Sequence, residues 1–145
     1  MHIYTYEKAV NEVTKMIASI LKTLSDINRL RILNLLSQRE MCVCEIEYLT
    51  EISQSNLSRH LKNMTNLGLL ISWKENKFSY FRINEAFLDN NPFIREIMGR
   101  LSEEEVIKKD EEKYQEYLTM NIPCECISDL ILERRFHRRK DSQVS

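Results

Sequence analysis

The stretch that decides the fold is Ile52-Ser53-Gln54-Ser55-Asn56-Leu57-Ser58-Arg59-His60-Leu61-Lys62. Turned at about 100° per residue, it puts Leu57, Leu61 and, just beyond, Met64 on one side. Ser55, Ser58, Arg59, Lys62 and Asn66 fall on the other. That polar side is a set of donors suited to phosphates and base edges. It carries no acid, whereas an ordinary solvated helix face usually mixes Glu with Lys. Ser53 is placed to cap the helix, Ile52 and Leu57 to staple its start, and Gly68 to end it in a left-handed residue. The spacing predicts a helix over 54–67. His60 falls towards the apolar flank, where packing with a satisfied ring nitrogen is expected.

Working outward, Val10, Val13, Ile17, Ile20, Leu21 and Leu24 form a helical stripe over 8–24. Ser25-Asp26 offers a cap for a second stripe of Ile27, Leu30, Leu33 and Leu36. Ser37 to Glu40 breaks it, and a short helix over 43–50 buries Val43, Ile46 and Leu49. Downstream, residues 69–84 are aromatic and branched around Glu75-Asn76-Lys77, which predicts a β-hairpin. Helix, helix, short helix, tight turn, helix, hairpin is the order of a winged helix-turn-helix. Asn91-Pro92 starts a further helix, and Ser102-Glu103-Glu104-Glu105 reads as a capping box opening a charged helix to about 119. Pro123 interrupts it. The tail holds a short helix around Ile127, Leu130 and Ile131 and a basic run, Arg134 to Lys140, read as a flexible appendage, with DNA contact as the alternative. The expected class is mainly α with a small β-hairpin (α+β). Residues 1–101 form a DNA-binding and dimerisation domain, and 102–145 a charged helix with a cysteine-containing basic tail.

The 145 residues, 43% hydrophobic and 30% charged, suit one soluble domain. No apolar run approaches the roughly 20 residues of a membrane span. The N-terminus lacks a signal-peptide layout, so a cytoplasmic protein is expected. Two glycines cannot build a Walker loop or a dinucleotide fingerprint, which excludes nucleotide enzymes of those types. Net charge is −1, yet residues 54–82 hold five bases against one acid and 103–116 seven acids against three bases. A local basic patch suffices for DNA, because phosphate attraction acts within about a Debye length. The candidate DNA contacts are Gln54, Ser55, Ser58, Arg59 and Lys62 on the helix, with Lys74, Lys77 and Arg82 on the hairpin.

The four cysteines form two C-x-C pairs, Cys42/Cys44 and Cys124/Cys126. In a reducing compartment, clustered thiols bind metal or react rather than form scaffolds. Neither Cys42 nor Cys124 sits in a glycine-rich or arginine-flanked anion loop, so a thiol enzyme is not expected. On a regular helix, residues two apart lie about 200° round from each other. Cys42 and Cys44 therefore converge only if the helix start is non-helical or unwinds. A thiol redox sensor is the alternative, and there a bond within one pair is expected to be strained, leaving bonds between pairs or subunits.

Three segments carry a resemblance: Ser25-Asp26-Ile27-Asn28-Arg29-Leu30-Arg31-Ile32-Leu33, Glu40-Met41-Cys42-Val43-Cys44-Glu45-Ile46, and the 52–62 stretch. Over roughly residues 15–100 they resemble the ArsR/SmtB group of metal- and metalloid-sensing repressors. The resemblance implies a homodimer paired through its first and fifth helices. It also implies a double-stranded operator with two-fold symmetry, released by an inducer, with no cofactor required for folding. This sequence departs from the group in three places. Glu47 stands where some arsenic-sensing relatives have a third cysteine. Residues 92–101 contain no His for the group's other metal site, and residues 1–41 lack the N-terminal cysteine of cadmium and lead sensors. Soft thiolates favour soft ions. Trivalent arsenic or antimony is satisfied by three sulfurs, whereas cadmium and zinc prefer four. The expected inducer is arsenite or antimonite, held by Cys42 and Cys44 with Cys124 or Cys126. A cadmium, lead or zinc sensor using all four is the alternative.

Overall fold

The computed structural model describes residues 2–143, an all-helical frame carrying one small sheet. In chain order the elements are α1 (His2–Leu24), α2 (Ile27–Leu36), β1 (Met41–Cys42), α3 (Val43–Thr50), α4 (Gln54–Leu67), β2 (Leu70–Glu75) and β3 (Phe78–Ile83). Then follow α5 (Glu85–Asn90), α6 (Phe93–Leu101), α7 (Glu105–Met120) and α8 (Cys124–Gln143). This is a winged helix-turn-helix: α3 and α4 form the motif, and β2 with β3 form the wing. Among the described residues no helix is long and apolar enough to cross a membrane.

Local chemistry sets the ends of α4. Glu51 adopts a left-handed conformation (φ 60°) and donates its N–H to Glu47 O at 2.9 Å, so α3 stops within one residue. Ile52 and Leu57 are both buried at the start of α4. Gly68 closes α4 at φ 99°, with the Phe87 ring 3.4 Å from where a Cβ would stand. Asp26 caps α2 by accepting from the Asn28 N–H at 2.8 Å. His60 is buried, and its Nδ1 accepts from Arg29 Nε at 3.1 Å, tying α4 to α2. Burial lowers its pKa below the ordinary histidine value.

Several features depart from the sequence reading: Ser53 holds the cap position of α4 without a side-chain capping bond, and Pro92 rather than Asn91 stands at the cap of α6. Met41 and Cys42 are a strand, pairing antiparallel with Phe81 and Tyr80, so the sheet has three strands in the order β1-β3-β2. A short helix, α5, follows the wing. The capping box at 102–105 is not formed, because Ser102 turns its hydroxyl back to Gly99 O and Glu104 takes the cap position. The basic run is not a flexible appendage: it is helical, and Arg134, Arg135 and Arg138 are ion-paired to α3 and the turn after it.

The core runs beneath both halves. Ile20, Ile32, Leu33, Ile46, Leu57, Leu61 and Met64 are fully buried or nearly so, and Tyr114, Tyr117 and Ile127 bring α7 and α8 into the same cluster. On α1 only Ile20 and Leu24 join it; Val10, Val13, Ile17 and Leu21 stay between 40% and 59% exposed.

Candidate thiol centre and nucleic-acid interface

Cys42 ends β1 and caps α3 in extended backbone (φ −76°, ψ 159°). One residue of a C-x-C pair therefore lies off the helix and the other on it. That change of backbone lets the two sulfurs face each other. They are in disulfide contact, with Cα atoms 5.4 Å apart, inside the ordinary range for such a bond. Cys124 opens α8, and its Sγ lies 3.4 Å from that of Cys42. The Sγ atoms of Cys42, Cys44 and Cys124 all lie within 4.8 Å of one another. Cys126 is two residues further along the same helix, exposed, and outside the cluster.

Pro123 and Ile127 explain the placement of Cys124. Asn121 turns left-handed (φ 52°) after α7, Pro123 precedes the new helix, and Ile127 is fully buried one turn in. Further along, Arg134 stacks on the Tyr48 ring at 4.6 Å and donates to Tyr48 O and Glu51.

Around the sulfurs stands a group that sequence reasoning missed. Glu45 is buried; it accepts from the Cys42 N–H at 3.1 Å and from the Tyr117 hydroxyl at 3.0 Å, and it pairs with Arg39. Its Oε1 is 3.9 Å from Cys124 Sγ. Burial, with the Glu45 charge beside it, pushes the Cys124 thiol up and does the same to the Tyr117 hydroxyl. For Arg39, burial is the largest single influence and works against the charge, but the hydrogen bond and charge of Glu45, with Tyr114, together outweigh it, and its pKa is raised. Glu45 was visible as the acid closing the thiol box. Nothing local in the sequence pointed to Tyr117, 72 residues away.

Every candidate DNA contact is exposed: Gln54, Ser55, Ser58, Arg59 and Lys62 on α4, and Lys74, Lys77 and Arg82 on the wing. Gln54, Ser58 and Lys62 share a groove with Ser72 and Ser79 of the wing, with Val43 at its end. Cross-strand pairing puts Lys74 opposite Ser79, on the wing face towards this groove. Arg82 lies opposite Ile71, on the other face with the stacked Trp73 and Tyr80. The wing therefore gathers Lys74 with α4 and leaves Arg82 apart.

Residues 26–72 match the model of the family described as bacterial regulatory protein, arsR family. The chain is 38% identical over 76 residues to an arsenical resistance operon repressor of Staphylococcus aureus, covering 52% of this chain and 73% of the relative. It is 36% identical over 84 residues to the cadmium resistance transcriptional regulatory protein CadC of Listeria innocua, covering 57% and 71%. Among solved structures, a homodimeric winged helix-turn-helix DNA-binding domain from Mycobacterium bovis matches with a TM-score of 0.55. That match is 24% identical and covers 65% of this chain and 87% of that one. The transcriptional repressor BigR of Xylella fastidiosa matches with a TM-score of 0.51 at 30% identity, covering 70% and 93%.

Proposed function

This chain belongs to the arsR family of bacterial regulatory proteins, winged-helix transcriptional regulators, and from that premise we propose a repressor released from its operator when trivalent arsenic or antimony joins Cys42, Cys44 and Cys124. The observation that carries this reading is the assembly of three sulfurs within 4.8 Å while the fourth faces solvent. Three soft donors without histidine suit a trivalent metalloid. In the reduced chain each thiol passes its proton to one hydroxyl of arsenous acid, so three As–S bonds form and three waters leave. Glu45 stays beside the cluster as the charge that Arg39 and Tyr117 hold in place. A cadmium, lead or zinc site would need Cys126 to turn inward. The contact between the Cys42 and Cys44 sulfurs supports a second reading, oxidation of that pair by a thiol oxidant.

DNA reading is assigned to α4 and the wing, with Gln54, Ser55, Ser58, Arg59 and Lys62 in one groove of the duplex and Lys74 and Lys77 on phosphates beside it; Arg82, on the other face of the wing, is left out of this group. The apolar side left open on α1, Val10, Val13, Ile17 and Leu21, supports a homodimer through α1 and α6 on a two-fold operator. In this reading residues 1–101 read DNA and dimerise, and 102–145 respond to the inducer.

Ultraviolet titration of the reduced chain tests the inducer, because thiolate charge transfer reports sulfur count and ion. Arsenite should saturate at one per chain. Cys42→Ser, Cys44→Ser and Cys124→Ser should each weaken binding at least about 100-fold, and Cys126→Ser should bind as the natural chain does. If Cys126→Ser loses binding as severely as Cys124→Ser, the three-sulfur reading is wrong and a four-sulfur ion takes its place. Loss of DNA binding on adding a mild oxidant, with arsenite inert, would select the redox reading.

A further inference from the structure

Helix α8 does more than deliver Cys124. It runs beside α3, from the thiol centre at Cys42 to the turn before α4, and its later residues pass the start of the reading helix. Ile131, Arg134, Arg135 and Arg138 line a cleft with Ser53, Gln54 and Ser55. Ser128, Leu132 and Arg135 line another with Gln54 and the wing tip, Lys77 and Phe78. Gln54, Ser55 and Lys77 are three of the residues assigned to DNA. A phosphate strand running between the start of α4 and the wing tip has to pass where α8 lies.

The chemistry of α8 is that of a cover rather than a contact. Three of its four arginines are held by its own chain, Arg134 and Arg138 on Glu51 and Arg135 on Glu47, while Arg139 and Lys140 lie exposed towards its far end. Its first ten residues hold Glu125, Asp129 and Glu133 and no base. Leu132 stands 60% exposed beside the cleft with the wing tip and offers nothing to a phosphate; the cation Lys140 sits further along, over the Phe136 ring at 4.7 Å. Cys124 is its first residue, so any ion that binds the three sulfurs fastens α8 to α3.

We propose that α8 is a displaceable cover over the DNA-reading face, competing with DNA for the strip beside Gln54, Ser55 and Lys77. It rests on the assignment of α4 and the wing to DNA. Seated α8 and bound DNA exclude each other, so an ion that closes the thiol centre shifts the balance to the seated form. By linkage, DNA weakens the hold on the ion by the same factor. No distortion of α4 is needed for release.

The test is a sign. The variant Arg134→Ala, Arg135→Ala, Arg138→Ala removes three positive charges, leaves Glu47 without its arginine and leaves Glu51 with Lys113 alone. On electrostatics alone it should bind DNA less well. If those arginines pin a cover, it should bind better. Anisotropy with a fluorescein-labelled mixed-sequence duplex at low salt, in reductant and without metal, reads the difference. The expected result is a several-fold gain, up to about tenfold, given three partly exposed ion pairs of ordinary strength. Weaker or unchanged binding overturns the cover. Hydrogen exchange gives a second measure on the unaltered chain: the amides of residues 127–143 should lose protection when the duplex is added, and retained protection overturns the proposal too. Arg59→Ala with Lys62→Ala separates the two readings. If that pair leaves binding unchanged, the assignment of α4 to DNA has failed. If it weakens binding while the arginine variant does not strengthen it, only the cover has.

Discussion

Two helices follow the winged domain, and they are held to it by different physics. Helix α7 is fixed by a buried fork: Arg31 donates from Nε and Nη2 to the two oxygens of Asp110 at 2.8 and 2.9 Å, and from Nη2 to Thr50 O at 2.8 Å. Asp110 is buried, and the Asp110 bond and charge raise the Arg31 pKa against the cost of burial. Helix α8 has one fully buried apolar residue, Ile127, and ion pairs in which Arg135 and Arg138 are 51% and 63% exposed. Exposed pairs are worth about 0–1 kcal/mol each, whereas breaking a buried one leaves an unpaired charge costing about 3–5 kcal/mol. The difference teaches that α7 is part of the frame and α8 is a part that can leave it.

The largest expected effect breaks the α7 side. Asp110→Ala strands the Arg31 guanidinium and should destabilise the chain by about 3–5 kcal/mol, read as a lower urea midpoint at unchanged slope. Replacing both partners with apolar residues of similar volume should recover most of that loss. A loss under about 1 kcal/mol for Asp110→Ala would mean that α7, like α8, detaches from the frame.

A paired comparison sharpens the contrast. Ile107 on α7 and Ile127 on α8 are equally and fully buried. Truncating a core isoleucine to alanine costs about 2–5 kcal/mol, which is the expectation for Ile107→Ala. For Ile127→Ala the global cost is capped by the free energy of seating α8, because the helix undocks instead of straining the core. The urea midpoint should move less than for Ile107→Ala, while amides of α8 exchange faster. Equal shifts would show that α8 unfolds only with the whole.

How far the sequence could be read follows the same division. Helix α4 was legible to the residue because its signals are local: a stripe of period 3.6, a staple at Ile52 and Leu57, and a glycine stop at Gly68. Helix α3 was legible for the same reason, and the wing from its aromatic pattern. What was not legible depends on distant partners. Two residues, Met41 and Cys42, are too few to show a strand period, and only their pairing with Phe81 and Tyr80 makes them one. That strand is what lets the first C-x-C pair converge. The second pair has the same spacing but lies wholly within α8, so Cys124 faces inward and Cys126 does not. Spacing alone could not tell the two apart. The helical course of the basic run depends on Glu47 and Glu51, more than 80 residues earlier, and local propensity carries no trace of them.

The smallest expected effect separates the frame from α8 by pH. His60 sits where α4 meets α2, and its Nδ1 accepts from Arg29, which requires the ring to be neutral at that nitrogen. Burial, together with the nearby Arg29 and Arg59 charges, lowers its pKa against the opposing pull of Asp26. The folded chain therefore binds this proton less readily than the unfolded chain does. Stability is fully present above the unfolded value near 6.5 and is lost as pH falls below it towards the folded value. His60→Gln keeps an acceptor in reach of Arg29 and removes the titration. The expected result is that the thermal midpoint of the natural chain falls between pH 7 and pH 5 more steeply than that of His60→Gln. The exchange of α8 amides should be the same in both chains over that range, because the hydrogen bond of His60 runs to Arg29 of α2, within the frame. Parallel thermal slopes in the two chains would show that this histidine does not sense pH. A change in α8 exchange confined to the natural chain would join the two regions that the ion-pair chemistry sets apart.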